Sequence, residues 1–494
     1  MPYRDLRDYL ATLEAKGLLC HVTAEVDKDW EIAAVTRRVF QRFPQEQRPA
    51  LMFDRIRGYD IPLVVGILGG SRQIYATALE TTVEDAVAKW QRGIRTPIPP
   101  VVVDDAPCQE EVYLGDAADA LKFPTPIWTV GQDPDPFQTS ALVISRDPET
   151  GVRNVGTYRV QMKGPRRTGL MINPPRNMNQ HIHKNEAAGR DTEVAIVIGA
   201  DPVVGLTGVT PFPYGQDELA LAGGIRGAPV EVVRCRTVDL EVPATAEIVI
   251  EGYIPCGGRE WEGPFGEYGG YMGTGGHHPF VEITAITHRH RPILQAFLSQ
   301  MPPSESSCIK QLGRESVILK HLRDNCGLQV RDVHLTESGG ATGILYISLR
   351  KRSHADPLRA MWGAWSLHDV FGKVTVVVDD DIDVRDPFQV EWALAFRMQP
   401  AQDVRIFEGT EALTLDPSQA PPDVPAEDPR RRVSSRVGID ATKKHAFPAL
   451  AVPPAEHLAR VDAQWERYGI EPVQRLAAAG QARASREAQP SGSR

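Results

Sequence analysis

Glu262 and Glu267 stand five positions apart around Gly263-Pro-Phe-Gly266, with Trp261, Tyr268 and Tyr271 alongside. The proline and glycines forbid a regular helix here and favour a tight bend. Aromatic neighbours can desolvate a carboxyl and raise its pKa toward the range useful for proton donation, which makes one acid of the pair a candidate proton donor. An arbitrary pair of acids at this spacing is more often a solvated surface turn. The spacing alone does not separate the two.

Other residue groups carry chemistry of a similar, individually weak kind. The run Asn154-Val-Gly-Thr-Tyr-Arg159 has the pattern of a strand over 154–162, which puts Asn154 and Arg159 on opposite faces if it stays straight. A partly buried Arg159 can lock a neighbouring carboxylate or hold a substrate carboxylate with two bonds; an ordinary salt bridge is the plainer role. In Asn179-Gln-His-Ile-His-Lys184, His181 and His183 share a face if the segment is extended, a spacing compatible with a metal. Together with Glu218 they admit a metal-dependent hydrolase, although no HExxH or other hydrolase signature accompanies them. Glu218 itself is either an oxygen ligand or an acid favoured by a helix N-terminus. The acidic run Val378-Asp-Asp-Asp-Ile-Asp383 allows a magnesium site, but acids at the exposed end of a strand need no metal. His277-His278 and His288-Arg-His290 have no partners at a telling spacing.

The elements that must position these groups are readable in outline. With 494 residues and 42% hydrophobic composition, the chain is long enough for about three domains. Leu6, Leu10 and Leu13 share a helical face that Gly17 terminates, mixed signals follow at 30–43 and 61–67, and Thr96-Pro-Ile-Pro-Pro100 sets a boundary near residue 105. From 142 to 298 the pattern changes to short β-type runs (154–162, 193–198, 247–254, 280–287) between Gly and Pro turns, a barrel or sandwich. Ser306 to Leu322 returns to helical spacing. Strands at 343–349 and 374–378 then alternate with helices at 356–365 and 388–398, an α/β layer, before a closing helix at 457–468 and a small polar tail at 481–494.

A formal charge of -9 disfavours nucleic acid as a partner, since phosphate contacts need a basic face. No stretch approaches the roughly 20 apolar residues of a membrane span, and the six scattered cysteines indicate neither a zinc knuckle nor a disulfide framework. These features lead us to expect a cytoplasmic protein acting on a small molecule, with no membrane partner.

In combination and in this order, Asn154 to Arg159, Gln180-His181, Glu218 and Glu262-Gly-Pro-Phe-Gly-Glu267 resemble the UbiD-type decarboxylase family, which uses prenylated FMN. Val242-Pro-Ala-Thr-Ala-Glu-Ile-Val249, Pro302-Pro-Ser-Glu-Ser306 and Val378-Asp-Asp-Asp-Ile-Asp383 extend the resemblance over nearly the whole chain. It implies an α+β fold with an N-terminal α/β domain (1–105), a split β-barrel flavin-binding domain (106–305), a linking helix (306–325), a C-terminal α/β oligomerisation domain (326–470) and a flexible tail (471–494). A homodimer or homohexamer is implied as well.

By motif position, the resemblance makes Arg159, Glu262 and Glu267 the catalytic network. It makes Asn154, His181 and Glu218 the ligands of Mn2+ (or Mg2+), with K+ nearby, clamping the flavin phosphate, and it adds Thr157, Tyr158, Arg159 and Gln180 as cofactor contacts. Glu267 is then the proton donor, with Arg159 and Glu262 orienting the substrate carboxylate. The expected reaction is reversible, non-oxidative release of CO2 from an aromatic or heteroaromatic acid, phenolic or indole-type, through a covalent adduct with a cofactor supplied by a flavin prenyltransferase. His183 and Lys310 depart from familiar family positions and leave the substrate open. The competing expectations are the hydrolase above and a noncatalytic flavin-binding homologue.

Overall fold

The leucine spacing at the start of the chain forms the helix Leu6–Ala15, capped by Asp5, whose carboxylate accepts the Asp8 N–H at 2.9 Å. Leu6, Tyr9, Leu10 and Leu13 are buried, and Gly17 takes φ +67° just beyond the end, where a side chain would be strained. In the computed structural model, the described residues are 2–172, 176–367, 371–413, 415–421, 424, 428, 431 and 433–470. They fall into two units, divided between Thr442 and Lys443.

The first unit begins with a four-stranded sheet in the order Leu19–Val26, Ala50–Ile56, Leu63–Val65, Leu294–Ala296. Its last strand returns from far downstream, after the strands of the central sheet in the chain, and pairs in parallel with Leu63–Val65. The mixed signals at 30–43 resolve into the helix Glu31–Arg42.

The central sheet has nine strands. Its order is Phe137–Gln138, Val160–Gly164, Arg167–Leu170, Phe280–His288, Ile248–Ile254, Thr192–Ile198, Leu142–Arg146, Arg153–Thr157, with Glu111–Leu114 also paired to Phe280–His288. The last strand in this order is joined to the second by Tyr158 and Arg159 alone. Two residues reach only about 7 Å. The sheet therefore has to curl until its opposite ends meet, as in a split barrel. The single strand expected over 154–162 is broken at this corner, because its two halves pair with different ends of the sheet, and the opposite-face placement of Asn154 and Arg159 does not apply.

The helix Glu305–Lys320 leaves the barrel and joins the regions on either side. Glu305, fully buried, accepts the N–H groups of Gly66 (2.7 Å), Leu68 (3.1 Å) and Gly69 (3.2 Å). A Cβ on Gly69 would stand 2.7 Å from the Glu305 carbonyl, so the contact needs glycine. Ten residues later, Glu315 meets Arg72, Arg385 and His334, each at 3.0 Å. The helix runs on through a wider turn, His321–Asn325, into a five-stranded sheet ordered Val330–Leu335, Ile344–Leu349, Val374–Asp379, Val433–Ala441, Val404–Glu411, with helices Asp356–Trp365 and Pro387–Arg397.

In the second unit, the expected closing helix is displaced and shorter: Ala455–Asp462, then a separate turn Trp465–Tyr468, with no buried residue in either. The expected tail, 471–494, lies outside the described residues. No helix among the described residues is long and apolar enough to cross a membrane.

Burial alone would raise the Glu315 carboxyl, but the charges of Arg385 and Arg72 and the bond to His334 reverse this and hold it at about 2. A depressed carboxyl stabilises the fold above its unfolded value and loses that contribution as pH falls through the folded one. We expect stability from this group to decline between about pH 4.5 and pH 2, by roughly 3 kcal/mol. Urea midpoints across this range should show a shallower acid decline for Glu315→Gln, which starts from lower stability at pH 7; identical slopes would contradict the assignment.

Candidate active site

The corner at Tyr158 and Arg159 turns the arginine side chain toward the bend that the sequence marks at Gly263-Pro-Phe-Gly266. Arg159 Nε and Nη2 donate to the two oxygens of Glu262 at 2.8 and 2.7 Å, and Nη1 donates to Glu267 Oε1 at 2.7 Å. The side chains are 8%, 0% and 16% exposed for Arg159, Glu262 and Glu267, so this is a nearly dry cluster in which only Glu267 reaches toward solvent. The guanidinium lies 5.4 Å from the Phe265 ring centre and 6.0 Å from that of Phe137.

Short strand pairs hold the two acids. Glu260–Glu262 pairs with Gly276–His278, and Phe265–Gly266 pairs with Met272–Gly273. Between them Gly263 takes φ +81° and donates its N–H to Gln161 Oε1 at 3.0 Å, while Gln161 Nε2 donates to Asp135 at 2.6 Å. A Cβ on Gly263 would stand 3.0 Å from Arg159 Nη2 and 3.2 Å from Gly275 Cα, so glycine is required for the arginine to pass. Gln161, Asp135 and Phe137 carry no sequence signal that separates them from ordinary strand residues.

The two acids meet different environments. Glu262 gives both oxygens to the guanidinium fork. Burial pushes the Glu267 carboxyl above the ordinary range, and the Glu262 charge adds to this, although Arg159 and Lys310 pull the other way. Lys310 lies 4.1 Å from the Tyr268 ring centre. Glu267 is thus the member suited to hold a proton.

A second constellation gathers at the other end of the strand Arg153–Thr157. A cleft of about 190 Å³ is lined by Asp147, Arg153, Asn154, His181, Tyr214 and Gln216, among others. The imidazole Nδ1 of His181 lies 2.9 Å from Ser145 Oγ, and burial lowers its pKa to about 4, so it is neutral at pH 7. Glu218 opens the helix Glu218–Arg226 and accepts the Val155 N–H at 2.7 Å; burial raises its carboxyl to about 8, with that N–H only partly offsetting it. Asn154 Nδ2, Arg153 Nη1 and Thr157 Oγ1 are buried with no partner among the described residues. Tyr158 is buried beside them.

Several expectations need correction. His181 and His183 lie on the helix Asn177–Ala187, not on extended chain, and two helical positions are about 200° apart. His181 is buried while His183 is exposed beside Glu186 at 3.5 Å, so the hydrolase set of His181, His183 and Glu218 is not assembled. Gln180 precedes His181 on this helix with an exposed side chain, which leaves its expected contact with a cofactor open to it. In the acidic run, Arg397 binds Asp379 at 3.0 Å and Asp381 at 2.7 Å, which explains these acids without an ion. Among the described residues, no three His, Cys, Asp or Glu side chains are grouped to hold a metal, so an ion at the cleft depends on the Asn154 amide as well as His181 and Glu218.

Removing the arginine strands two carboxyls in a dry site. Arg159→Leu should cost about 3–5 kcal/mol at pH 8, and less at pH 5, where protonation relieves the uncompensated charge. Denaturation at both pH values measures this; an equal loss at both would show that the carboxyls are not the source.

Comparison with known proteins accords with this geometry. Models of the 3-octaprenyl-4-hydroxybenzoate carboxy-lyase match the N-terminal domain at residues 10–93, the Rift-related domain at 101–302 and the C-terminal domain at 308–441. An uncharacterised protein of Archaeoglobus fulgidus is 33% identical over 496 residues, 94% of this chain and 98% of its own. The structure of the UbiD-class enzyme HmfF from Pelotomaculum thermopropionicum in complex with FMN is similar at TM-score 0.83 and 38% identity, covering 92% of this chain and 100% of its own. Vanillic acid decarboxylase of Sedimentibacter hydroxybenzoicus in open form gives TM-score 0.81 and 28% identity, over 94% of this chain and 100% of its own. With all three domains of the family matched in order along its length, the chain belongs to the UbiD family of carboxy-lyases.

Proposed function

We propose that the protein is a prenylated-FMN-dependent decarboxylase that releases CO2 from an aromatic or heteroaromatic acid, with Glu267 as proton donor. The observation that carries this reading is the buried Arg159 shared by two glutamates in unlike environments, at one end of the strand whose other end holds Asn154. Asn154 and Arg159 stand five residues apart across the corner, at most about 17 Å, which suits a phosphate site and a ring site on one cofactor. FMN is bound by the similar HmfF structure, and prenylated FMN by its evolved dimeric form.

Loss of CO2 from an sp² carbon leaves an electron pair that no side chain here can accept, and prenylated FMN, when bound, supplies that electron sink. The chain's own residues do the rest. Arg159 and Glu262 orient the substrate carboxylate, and the Glu267 carboxyl delivers its proton to the carbon that has lost CO2. The overall balance is a carboxylate plus one proton giving CO2 and a C–H bond, and water restores the proton to Glu267. Two similar structures belong to decarboxylases of vanillic acid and 3,4-dihydroxybenzoic acid, which favours a phenolic acid here, with Tyr268 and Lys310 as polar and aromatic neighbours of the site.

The donors at the cleft fit a divalent ion. A neutral imidazole, a buried carboxyl and the carbonyl oxygen of the Asn154 amide suit Mn2+ or Mg2+, and the imidazole favours Mn2+. Asn154, His181 and Glu218 would hold it against the flavin phosphate, with K+ nearby and Thr157, Tyr158 and Gln180 as further cofactor contacts. The related dimeric HmfF structure favours a homo-oligomer.

The test is CO2 release and product mass on a panel of aromatic acids, after reconstitution with prenylated FMN, Mn2+ and K+. Glu267→Gln should keep the flavin and lose about 10²- to 10⁴-fold in turnover; full turnover would overturn the donor assignment. Because Glu267 acts in its protonated form and its pKa is raised, turnover should hold through the ordinary carboxyl range and fall as pH rises through that elevated pKa. His181→Ala and Glu218→Gln should lower the bound Mn2+ per flavin measured by elemental analysis, and unchanged loading would contradict the ligand assignment.

A further inference from the structure

Asp147 is a buried acid that the reaction above does not use. It sits in the turn between the strands Leu142–Arg146 and Arg153–Thr157, and its Oδ1 accepts the Glu149 N–H at 2.9 Å. Its other oxygen faces the cleft and accepts Lys184 Nζ at 2.8 Å and the hydroxyl of Tyr214. Tyr214 comes from a different element, the segment 210–217 that leads into Glu218. Its ring meets that of His181 edge-on at 5.8 Å between centres and lies 5.3 Å from Lys184 Nζ. One side chain thus bridges the cleft, from the segment before one proposed ion ligand to the turn beside another.

This segment has little else to hold it. Pro211, Pro213, Tyr214, Gly215 and Gln216 are exposed, and the two prolines have no N–H to donate. Its other ties include long bonds, Asn177 Nδ2 to the Phe212 carbonyl and Gln216 N–H to the Pro213 carbonyl, both 3.4 Å, and a stack of Phe212 on Trp90 with centres 6.5 Å apart. Both ends are firm: Thr210 Oγ1 donates to the Leu206 carbonyl at 2.9 Å, and Asp217 caps the helix Glu218–Arg226. A segment anchored at its ends, exposed between them and poor in backbone bonds is where local opening costs least.

We propose that Tyr214 is a positioning residue that latches the 210–217 segment over the ion and phosphate cleft, and that its hydroxyl bond to Asp147 sets how fast the bound ion leaves. The latch rests on the ion reading given above and adds a residue outside the ligand set. Segment opening exposes the cleft beneath Tyr214, and closing restores a hydrogen bond to an ionised acid, one of the stronger kinds. Neither state changes the ligands themselves, so the latch acts on exchange rate.

The test compares wild type with Tyr214→Phe, which keeps the ring against His181 and Lys184 and removes only the hydroxyl. Protein loaded with FMN and Mn2+ is mixed with excess chelator, and Mn2+ release is followed by electron paramagnetic resonance. The variant should release Mn2+ at least about 10-fold faster, with its Mn2+ loading at equilibrium unchanged. Wild-type and variant proteins releasing at the same rate would overturn the latch while leaving the ion reading intact. Faster release together with a lowered Mn2+ loading at equilibrium would assign Tyr214 to the binding site itself rather than to exchange and also overturn it. A wild type that takes up no Mn2+ in the presence of FMN would overturn the ion reading and the latch together.

Discussion

One guanidinium in a dry site carries the structure's central electrostatic constraint. Arg159 is shared between two carboxyl groups, and the geometry divides it unequally: two bonds to Glu262, one to Glu267. A buried ion pair is poor evidence of stability but a strong specifier of arrangement, because each partner left alone carries an uncompensated charge. The unequal division is also what separates the two glutamates chemically. One is tied by both oxygens, while burial raises the carboxyl of the other.

The curl of the central sheet makes that arrangement possible. A straight strand through 154–162 would have sent Asn154 and Arg159 to opposite faces. The corner at Tyr158 instead lets one short stretch of backbone serve both ends of the sheet, so that Arg159 of the acid network and Asn154 of the cleft are stations on the same chain segment. Backbone that is hydrogen-bonded on both sides of such a corner gives the two stations a fixed separation. A cofactor needs that more than any single contact.

The regions around the barrel are joined by buried acids rather than by apolar contact alone. Glu305 binds the turn at 66–69, Glu315 draws together Arg72, His334 and Arg385, and Glu247 receives two bonds from Arg7 at 2.8 Å each. Two of these sit on one helix, Glu305–Lys320, which also carries Lys310 next to Tyr268. A shift of that helix would be felt both at the joints and beside Glu267.

Much of the fold was legible because periodicity is local: the helices at 6–15, 305–320 and 356–365 and the strands at 192–198, 248–254 and 374–379 follow from side-chain spacing and caps. The chemical pairing was legible in a different way, through residue types in a fixed order, since Glu262 and Glu267 around a Gly-Pro bend had meaning only in company with Arg159. Sequence could not place the corner at Tyr158, which depends on its two flanking strands taking different partners, Leu142–Arg146 on one side and Phe137–Gln138 and Arg167–Leu170 on the other, nor the helix under His181 and His183, where a polar run gives weak periodicity. It also could not single out Gln161, Asp147 or Tyr214. Their types are common and their importance lies wholly in what they face. The sequence by itself determined which side chains were available and what each could do as acid, base or ligand, because those properties are covalent. Only the tertiary structure decided that two equal carboxyls meet unequal surroundings, because burial and the orientation of one arginine are properties of the folded chain.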